Sequence, residues 1–412
     1  MTKRADLIIR NAHLRDLTDE PMDIAIADEK IVEVSANLDF TTDTEIDADK
    51  KLVTESFANP HLHLCKVWTL DKINEGALKD YHGGTMGKAM NAIEQASAVK
   101  DNYDASWIID NARRAVALAA LHGNLHIRAF ADVDSKAQLE GVNALIALRD
   151  EFSDIVDIQV VAFAQDGIIR EKGAAELIRK AMDLGADVVG GIPWIELTDA
   201  DAKEHIRTCF DIAVEYQKDV SMLLDDAGDP TLRTTEMMAV ETIERNWEGR
   251  VLAHHCRAMS MYPQPYFQKL VALLKRAQIP VVSDPHTGPL HARVKELLEE
   301  GILVSLGQDD ISDAYYPFGR NNLLEVAFLA SHLLWMTTKA EIDRLYDLVT
   351  IDAARSMNIR EFGLGPGCSA NLVILNEPNT VEALRNHAAP RYVVSQGRVV
   401  DLERMRDLAN SP

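Results

Sequence analysis

Two histidines one residue apart, His61 and His63 in Asn59-Pro60-His61-Leu62-His63-Leu64, are the residues best suited to chemistry in this chain. They close the apolar run that leads from Leu52-Val53 to Phe57-Ala58, which reads as a strand. Residues two apart on a strand point to one face, so both imidazoles can reach a common point while Leu62 and Leu64 pack the other way. Two neutral imidazoles at a strand end suit a divalent metal such as zinc or iron. A bare H-x-H pair is more often just two exposed histidines, so the metal reading depends on what else arrives at the same point.

The elements that must position that pair alternate regularly. Strand patterns cover 57–64, 125–132, 157–165, 187–194, 220–226, 251–256, 279–284 and 303–309. Between them, 104–121, 136–152, 174–184, 201–217, 234–246, 265–277 and 290–300 show apolar spacing near 3.6. This predicts an α/β fold, a (β/α)8 TIM barrel with right-handed crossovers. Both ends of the chain read as short strands: 5–10, 23–27 and 30–34 at one end, 370–375, 391–394 and 398–401 at the other. They predict a small β-sandwich domain built from both termini. The expected division is residues 1–54 and 365–412 for that domain and 55–364 for the barrel. The stretch 67–102, with Gly83-Gly84 in it, is a long excursion after the first strand, read as a lid or an oligomer contact.

Barrels of this kind keep their active sites at the C-terminal ends of the strands. There the chain places His61 and His63 on strand one, Gln165 on three, Asp225 and Asp226 on five, and His254 and His255 on six. Strand seven adds Asp284 and His286, and strand eight Asp309 and Asp310. Singly, each has a structural explanation. An aspartate after a strand commonly caps the next helix, and a lone histidine there is usually framework. Those explanations do not produce convergence on one barrel mouth.

Of 412 residues, 47% are hydrophobic and 26% charged, enough for a large core. Against 65 acidic residues stand 43 basic ones, a net charge of −22. That argues against nucleic acid, whose phosphates need a basic surface, and against anionic membranes. Met1-Thr2-Lys3-Arg4-Ala5-Asp6 lacks the apolar core of a signal peptide, and no apolar run is long enough to span a bilayer. Cys65, Cys209, Cys256 and Cys368 lie far apart without a C-x-x-C pair and read as free thiols. The expectation is a cytoplasmic protein, a homo-oligomer, with neither a nucleic-acid nor a membrane partner.

Several segments together carry a family likeness: 59–64, Asp132-Val133-Asp134, 157–167, 185–193, Gly307-Gln308-Asp309-Asp310 followed by Tyr316-Pro317-Phe318-Gly319, and the tail 369–375. Through them the chain resembles the amidohydrolase superfamily over nearly its whole length, and within it the cytosine deaminases and N-isopropylammelide amidohydrolases. The resemblance implies one divalent metal ion, zinc or iron, on His61, His63 and Asp309. It implies His255 beside the attacking water, Asp226 as proton shuttle and Gln165 on the substrate ring, with Asp309 or His255 accepting the water proton. Trp194 and Phe130 read as an apolar wall or as barrel packing.

The chain departs from the family pattern in four places. The family's strand-five metal histidine is Leu223, and the shuttle glutamate of cytosine deaminase is Asp226, one methylene shorter. A strand-two histidine is Phe130, and the aspartate after H-x-H is Cys65. Three ligands and a water still make a catalytic zinc site. His255 or Asp225, two residues beyond Leu223, can replace the fourth. The resemblance therefore implies a metal-dependent hydrolase of a C–N bond in a small nitrogen heterocycle, by deamination or amine release. The alternative, raised by Leu223, is a non-catalytic ligand-binding protein on the same fold. The chain has no P-C-x-x-C motif of the unrelated zinc deaminases.

Overall fold

Eight parallel strands form the central sheet: β1 Phe57–Leu62, β2 Asn124–Asp132, β3 Asp157–Phe163, β4 Val188–Gly191, β5 Asp219–Leu224, β6 Val251–His255, β7 Val281–Ser283 and β8 Val304–Leu306. They are ordered β8 to β1 without a crossover. A parallel bridge between Leu62 and Asp309 joins the two edges, so the sheet closes into the expected (β/α)8 barrel. The computed structural model describes residues 3–15, 20–73, 76–81 and 86–411, with the side chains of 77 and 81 excepted. Gly83-Gly84 lies outside the described residues.

Burial on both faces explains why these strands read as apolar runs rather than as alternating ones. All nine residues of β2 are buried. Inside the barrel floor, Arg128 on β2 is 2% exposed. Its guanidinium donates to Gln159 Oε1, Ser221 Oγ and the Met357 carbonyl at 2.9, 3.0 and 3.2 Å. The outer helices carry ordinary start and stop signals. Asp104 accepts from Ser106 N ahead of Ala105–Leu121, and Thr198 accepts from Asp201 N ahead of Asp199–Tyr216. Gln217, Asn246 and Gln278 end their helices in the left-handed region, at φ of 55°, 53° and 51°.

The two chain ends meet in a second sheet. Leu372–Ile374 pairs antiparallel with Leu52–Glu55 on one side and with Tyr392–Ser395 on the other. Leu7–Leu14, Met22–Ala27 and Lys30–Ser35 continue from Leu52–Glu55. The expected last strand is shorter than read: Arg398–Val399 is followed by helix Leu402–Ala409, capped by Asp401. That helix packs on Ala105–Leu121.

The excursion after β1 carries helix Met86–Ala96, whose inner face is Ala89, Ala92, Ile93 and Ala96. Just beyond it the Lys100 ammonium, 2% exposed by residue, sits 2.6 Å from Asp134 and 2.8 Å from Asp166. This pins the segment over the C-terminal mouth of the barrel. No helix among the described residues is long and apolar enough to cross a membrane.

Candidate active site

The H-x-H pair converges, but not by simple strand alternation. The ladder between β1 and β2 pairs Asn59 with Ile127 and then Leu62 with Ala129, so β1 holds one extra residue across Pro60-His61. Proline cannot donate to the ladder, and a bulge at this point re-aims the side chains around it. Asn59 holds the bulge in shape. Its Oδ1 accepts from His61 N at 3.2 Å and from Gln308 N at 3.1 Å, and its Nδ2 donates to Asn321 Oδ1 at 3.1 Å. Backbone bonds from His63 N to the Asp309 carbonyl and from Asp309 N to the His61 carbonyl, each 2.8 Å, lock β1 to the end of β8.

As a result His61 Nε2 and His63 Nε2 each lie 3.4 Å from Asp309 Oδ1. These three donors lie within 4.8 Å of one another, and all three residues are buried. His61 Nε2 and Asp309 Oδ1 have no hydrogen-bond partner among the described residues. Buried polar atoms are almost always satisfied, so an orphaned imidazole nitrogen facing an orphaned carboxylate oxygen fits a cation between them. The outer nitrogen of His61 faces Asp284 Oδ2 at 3.4 Å, and His255 Nδ1 faces the same oxygen at 3.1 Å. One carboxylate thus orients two imidazoles, the usual support for a metal-ligating histidine. Gly307 leaves room for it, because a methyl group there would meet the Asp284 carboxylate and lie 2.8 Å from the His61 Cβ.

His255 takes a left-handed φ of 64° at the end of β6, which turns its ring into the mouth. Its Nε2 is 3.8 Å from Asp309 Oδ2 and its Nδ1 4.0 Å from Asp226 Oδ1. Burial alone disfavours an imidazolium here. The carboxylates of Asp226, Asp309 and Asp284 outweigh it and push His255 up to about 9. A cation bound beside it opposes that shift. Asp226 is also held by the buried Arg257, 3.2 Å from its Nη1.

His286 was not among the residues that the family likeness places in the site. Its Nε2 lies 3.3 Å from both Asp309 Oδ2 and Asp310 Oδ2, forming a second cluster of metal-ligand type on the other side of Asp309. Burial opposes its protonation, but those two carboxylates raise it to about 10.

Asp225 does not face the metal cluster. β5 ends at Leu224 and Asp225 turns to φ 46°, so strand alternation no longer carries it to the side of Leu223. Its carboxylate accepts from Thr234 N at 2.7 Å, Thr235 N at 3.1 Å, Thr234 Oγ1 at 2.6 Å and Tyr262 Oη at 2.8 Å. It caps helix Thr234–Arg245 from outside the helix. Asp225→Ala is expected to leave metal content unchanged while lowering stability by about 2 kcal/mol, read as the denaturant midpoint beside elemental analysis.

The pocket over the cluster is lined by His63, Asp226, His255, Asp309 and Asp310 on its reactive side. Gln165, Ile192, Trp194, Leu223, Tyr315 and, from the excursion helix, Ala89 and Ile93 form the rest. Phe130 stacks beneath, its ring 4.6 Å from His61 and 5.4 Å from His63. Gln165 carries a partner that its spacing could not reveal: its Oε1 accepts from Lys66 Nζ at 2.7 Å. Cys65 is buried, with Sγ 3.4 Å from Tyr103 Oη.

A parallel barrel with imidazole and carboxylate groups gathered at its C-terminal mouth defines the class as a (β/α)8 barrel with a metal-ligand-type site. Within that class the chain belongs to the amidohydrolase family, whose family model matches residues 44–401. It is 30% identical over 401 residues to N-isopropylammelide isopropyl amidohydrolase of Pseudomonas sp. (strain ADP), covering 97% of this chain and 98% of that one. It is 22% identical over 371 residues to pterin deaminase of Rhizobium rhizogenes (strain K84 / ATCC BAA-868), covering 85% and 80%. Its fold superimposes on 5-methylcytosine deaminase from Klebsiella pneumoniae, liganded with 5-fluorocytosine, with a TM-score of 0.86 at 30% identity, over 95% of this chain and 97% of that one.

Proposed function

We propose that this amidohydrolase uses one zinc or iron ion to hydrolyse a C–N bond at an sp2 carbon of a small nitrogen heterocycle, releasing ammonia or an amine. The convergence of His61 Nε2, His63 Nε2 and Asp309 Oδ1 beneath the pocket carries this reading. Two imidazoles and a carboxylate are a donor set that zinc and iron share. A divalent ion there supplies a hydroxide nucleophile at neutral pH by lowering the pKa of water to near ~7.

The chain's own groups then have distinct tasks. His63 and His61 would hold the ion, and Asp284, 3.4 Å from His61 Nδ1, would keep that ring turned toward it. Asp309 would help hold the ion, and its Oδ2, 3.3 Å from His286 Nε2 and 3.8 Å from His255 Nε2, would accept a proton from the attacking water. His255 stands across from Asp309 Oδ2 and orients the attacking oxygen. Asp226 passes a proton to the leaving nitrogen. Gln165 and Trp194 hold the ring. Ala89 and Ile93 cover the pocket and exclude water.

Leu223 does not favour a binding-only reading, because the three remaining donors match the count of a catalytic zinc site. The same reading makes residues 1–54 and 365–412 a small domain beside the barrel of 55–364. It takes the protein as a cytoplasmic homo-oligomer that binds no nucleic acid or membrane.

The test is elemental analysis of purified protein grown with zinc, iron or manganese, beside a screen of pyrimidines, triazines, pterins and cyclic ureas for ammonia or amine release. About one equivalent of metal and metal-dependent release are expected. Well-folded protein that takes up no metal under any supplement sinks the hydrolase reading. Asp226→Asn should keep its metal and lower kcat by roughly 10²–10⁴, the usual worth of a general acid. Full activity in that variant would remove Asp226 from the proton path.

A further inference from the structure

Asp309 shows one oxygen to each of two clusters. Its Oδ1 faces His61 and His63 at 3.4 Å, while its Oδ2 faces His286. Consecutive carboxylates on a strand would point to opposite faces. The β8 ladder ends at Leu306, however, and Asp309 takes a left-handed φ of 62°. That turn lets Asp309 and Asp310 meet one imidazole, with His286 Nε2 3.3 Å from Oδ2 of each. The His286 ring is set by the tight turn Pro285–Thr287, where Thr287 Oγ1 donates to the Asp284 carbonyl at 2.8 Å. It also packs on the Tyr316 ring at 4.7 Å.

The donors of His286, Asp309 and Asp310 lie within 4.8 Å of one another, on side chains no more than 2% exposed. Neither ring nitrogen of His286 completes a hydrogen bond among the described residues, and Asp310 Oδ1 has no partner either. Buried polar atoms are almost always satisfied. One imidazole and two carboxylates in that state fit a divalent cation. The site is built to be the weaker of the two. His61 has Asp284 behind its outer nitrogen, whereas His286 Nδ1 has no such support, and a ligating histidine nearly always has one.

We propose that His286, Asp309 Oδ2 and Asp310 form a second, inhibitory site for a divalent cation such as zinc, joined to the first site through the Asp309 carboxylate. Occupation takes Asp309 Oδ2 out of proton transfer, so metal in excess of one equivalent slows the hydrolysis. The inhibition rests on the reading of Asp309 as proton acceptor; the binding site itself rests on the geometry of its three donors.

The test starts from protein dialysed to one equivalent of zinc and titrated calorimetrically with zinc chloride. A second, weaker equivalent should bind, and amine release from the best heterocycle found should fall severalfold as it fills. Two ions sharing one carboxylate stand about 3.5–4 Å apart. The same titration with cobalt(II) should therefore give a spin-coupled pair in the paramagnetic resonance spectrum. His286→Gln and Asp310→Asn should each keep the first equivalent and bind the second at least roughly 10–100-fold more weakly, the cost of even an outer-shell change. Each variant should also hold its own rate in excess zinc. Asp310→Asn nearly preserves shape and decides if His286→Gln does not fold.

No second equivalent at any zinc concentration overturns the proposal, and leaves His286 as an imidazolium between two carboxylates. A second equivalent that is uncoupled in the cobalt protein, or that survives in both variants, places the ion elsewhere and overturns it too. A rate that rises as the second equivalent fills overturns the inhibition. The hydrolase reading is judged separately. A single ion kept in His61→Ala but lost in His286→Gln retains this site and sinks the first. One equivalent with amine release and no second ion sinks only this site.

Discussion

His61→Ala is expected to yield a folded protein that holds no stoichiometric metal and releases no amine from any heterocycle. His61 is the proposed ligand with the most support. Its Nε2 faces Asp309 Oδ1, its Nδ1 faces Asp284, and its ring lies 4.6 Å from Phe130. Truncation leaves His63 and Asp309 as two donors, below the three that a catalytic zinc site needs. Loss of an outer-shell partner alone costs 10–100-fold in affinity, as a rough guide, so loss of a ligand costs more than that. The Asp284 carboxylate also loses one of its two imidazole partners, but keeps His255 at 3.1 Å, which argues for a protein that still folds. Circular dichroism and elemental analysis on the same sample separate metal loss from unfolding. A variant that kept a full equivalent would place the ion elsewhere, first at His286, Asp309 and Asp310, the other cluster built on Asp309.

The eight strand ends were legible because parallel strands buried on both faces leave runs of apolar residues that stop where polar residues begin. What the runs do not encode is where the ladder ends. The stretches 279–284 and 303–309 both read as long strands, yet β7 and β8 are Val281–Ser283 and Val304–Leu306. The residues beyond them leave the ladder and supply the site. Alternation failed for the same reason at Asp225: a residue past the last ladder bond is free to take a left-handed turn. The excursion helix Met86–Ala96 was hidden because three of the four residues on its inner face are alanine, a weak apolar stripe. Helix Leu323–Leu333 went unread although its apolar content is high, because it follows the last strand and no later strand frames it.

Within the site, the residue types at the strand ends were readable, but their partners were not. Asp284 between His61 and His255, Lys66 beneath Gln165, and His286 against Asp309 all join elements far apart in the sequence. Only barrel closure brings them together. Asn59 stood next to the motif from the start. Its work on the bulge could have been suspected from the Pro60 that follows it, since a proline inside a strand signals a bulge or an edge.

Leu223→His is expected to lower the stability of the metal-free protein and raise that of the metal-loaded one. Leu223 is 3% exposed and packs with Phe130, Val161, Phe163 and Trp194. An imidazole in that setting gives up apolar contacts and, without metal, leaves a buried polar group unpaired, a loss of about 1–3 kcal/mol. With metal the sign reverses. Leu223 lines the pocket beside His63, His255 and Asp309, and β5 lies across the barrel from the proposed β1 and β8 ligands, so a histidine there would add a donor from another side. Affinity should tighten by at least the roughly 10–100-fold that even an outer-shell change produces. A 100-fold gain, at metal concentrations that already saturate the wild type, adds about 2.7 kcal/mol of linkage stability, which exceeds a metal-free loss in the lower part of that range, about 1–2 kcal/mol. Thermal melts with and without zinc should therefore move in opposite directions relative to wild type. Melts that fall in both conditions, with unchanged affinity, would show that the shell is already complete without strand five. The donor would then come from β6, where the rings of His254 and His255 stand 4.5 and 4.8 Å from that of His61. His254 is the stronger suspect, since both of its nitrogens lack a partner among the described residues.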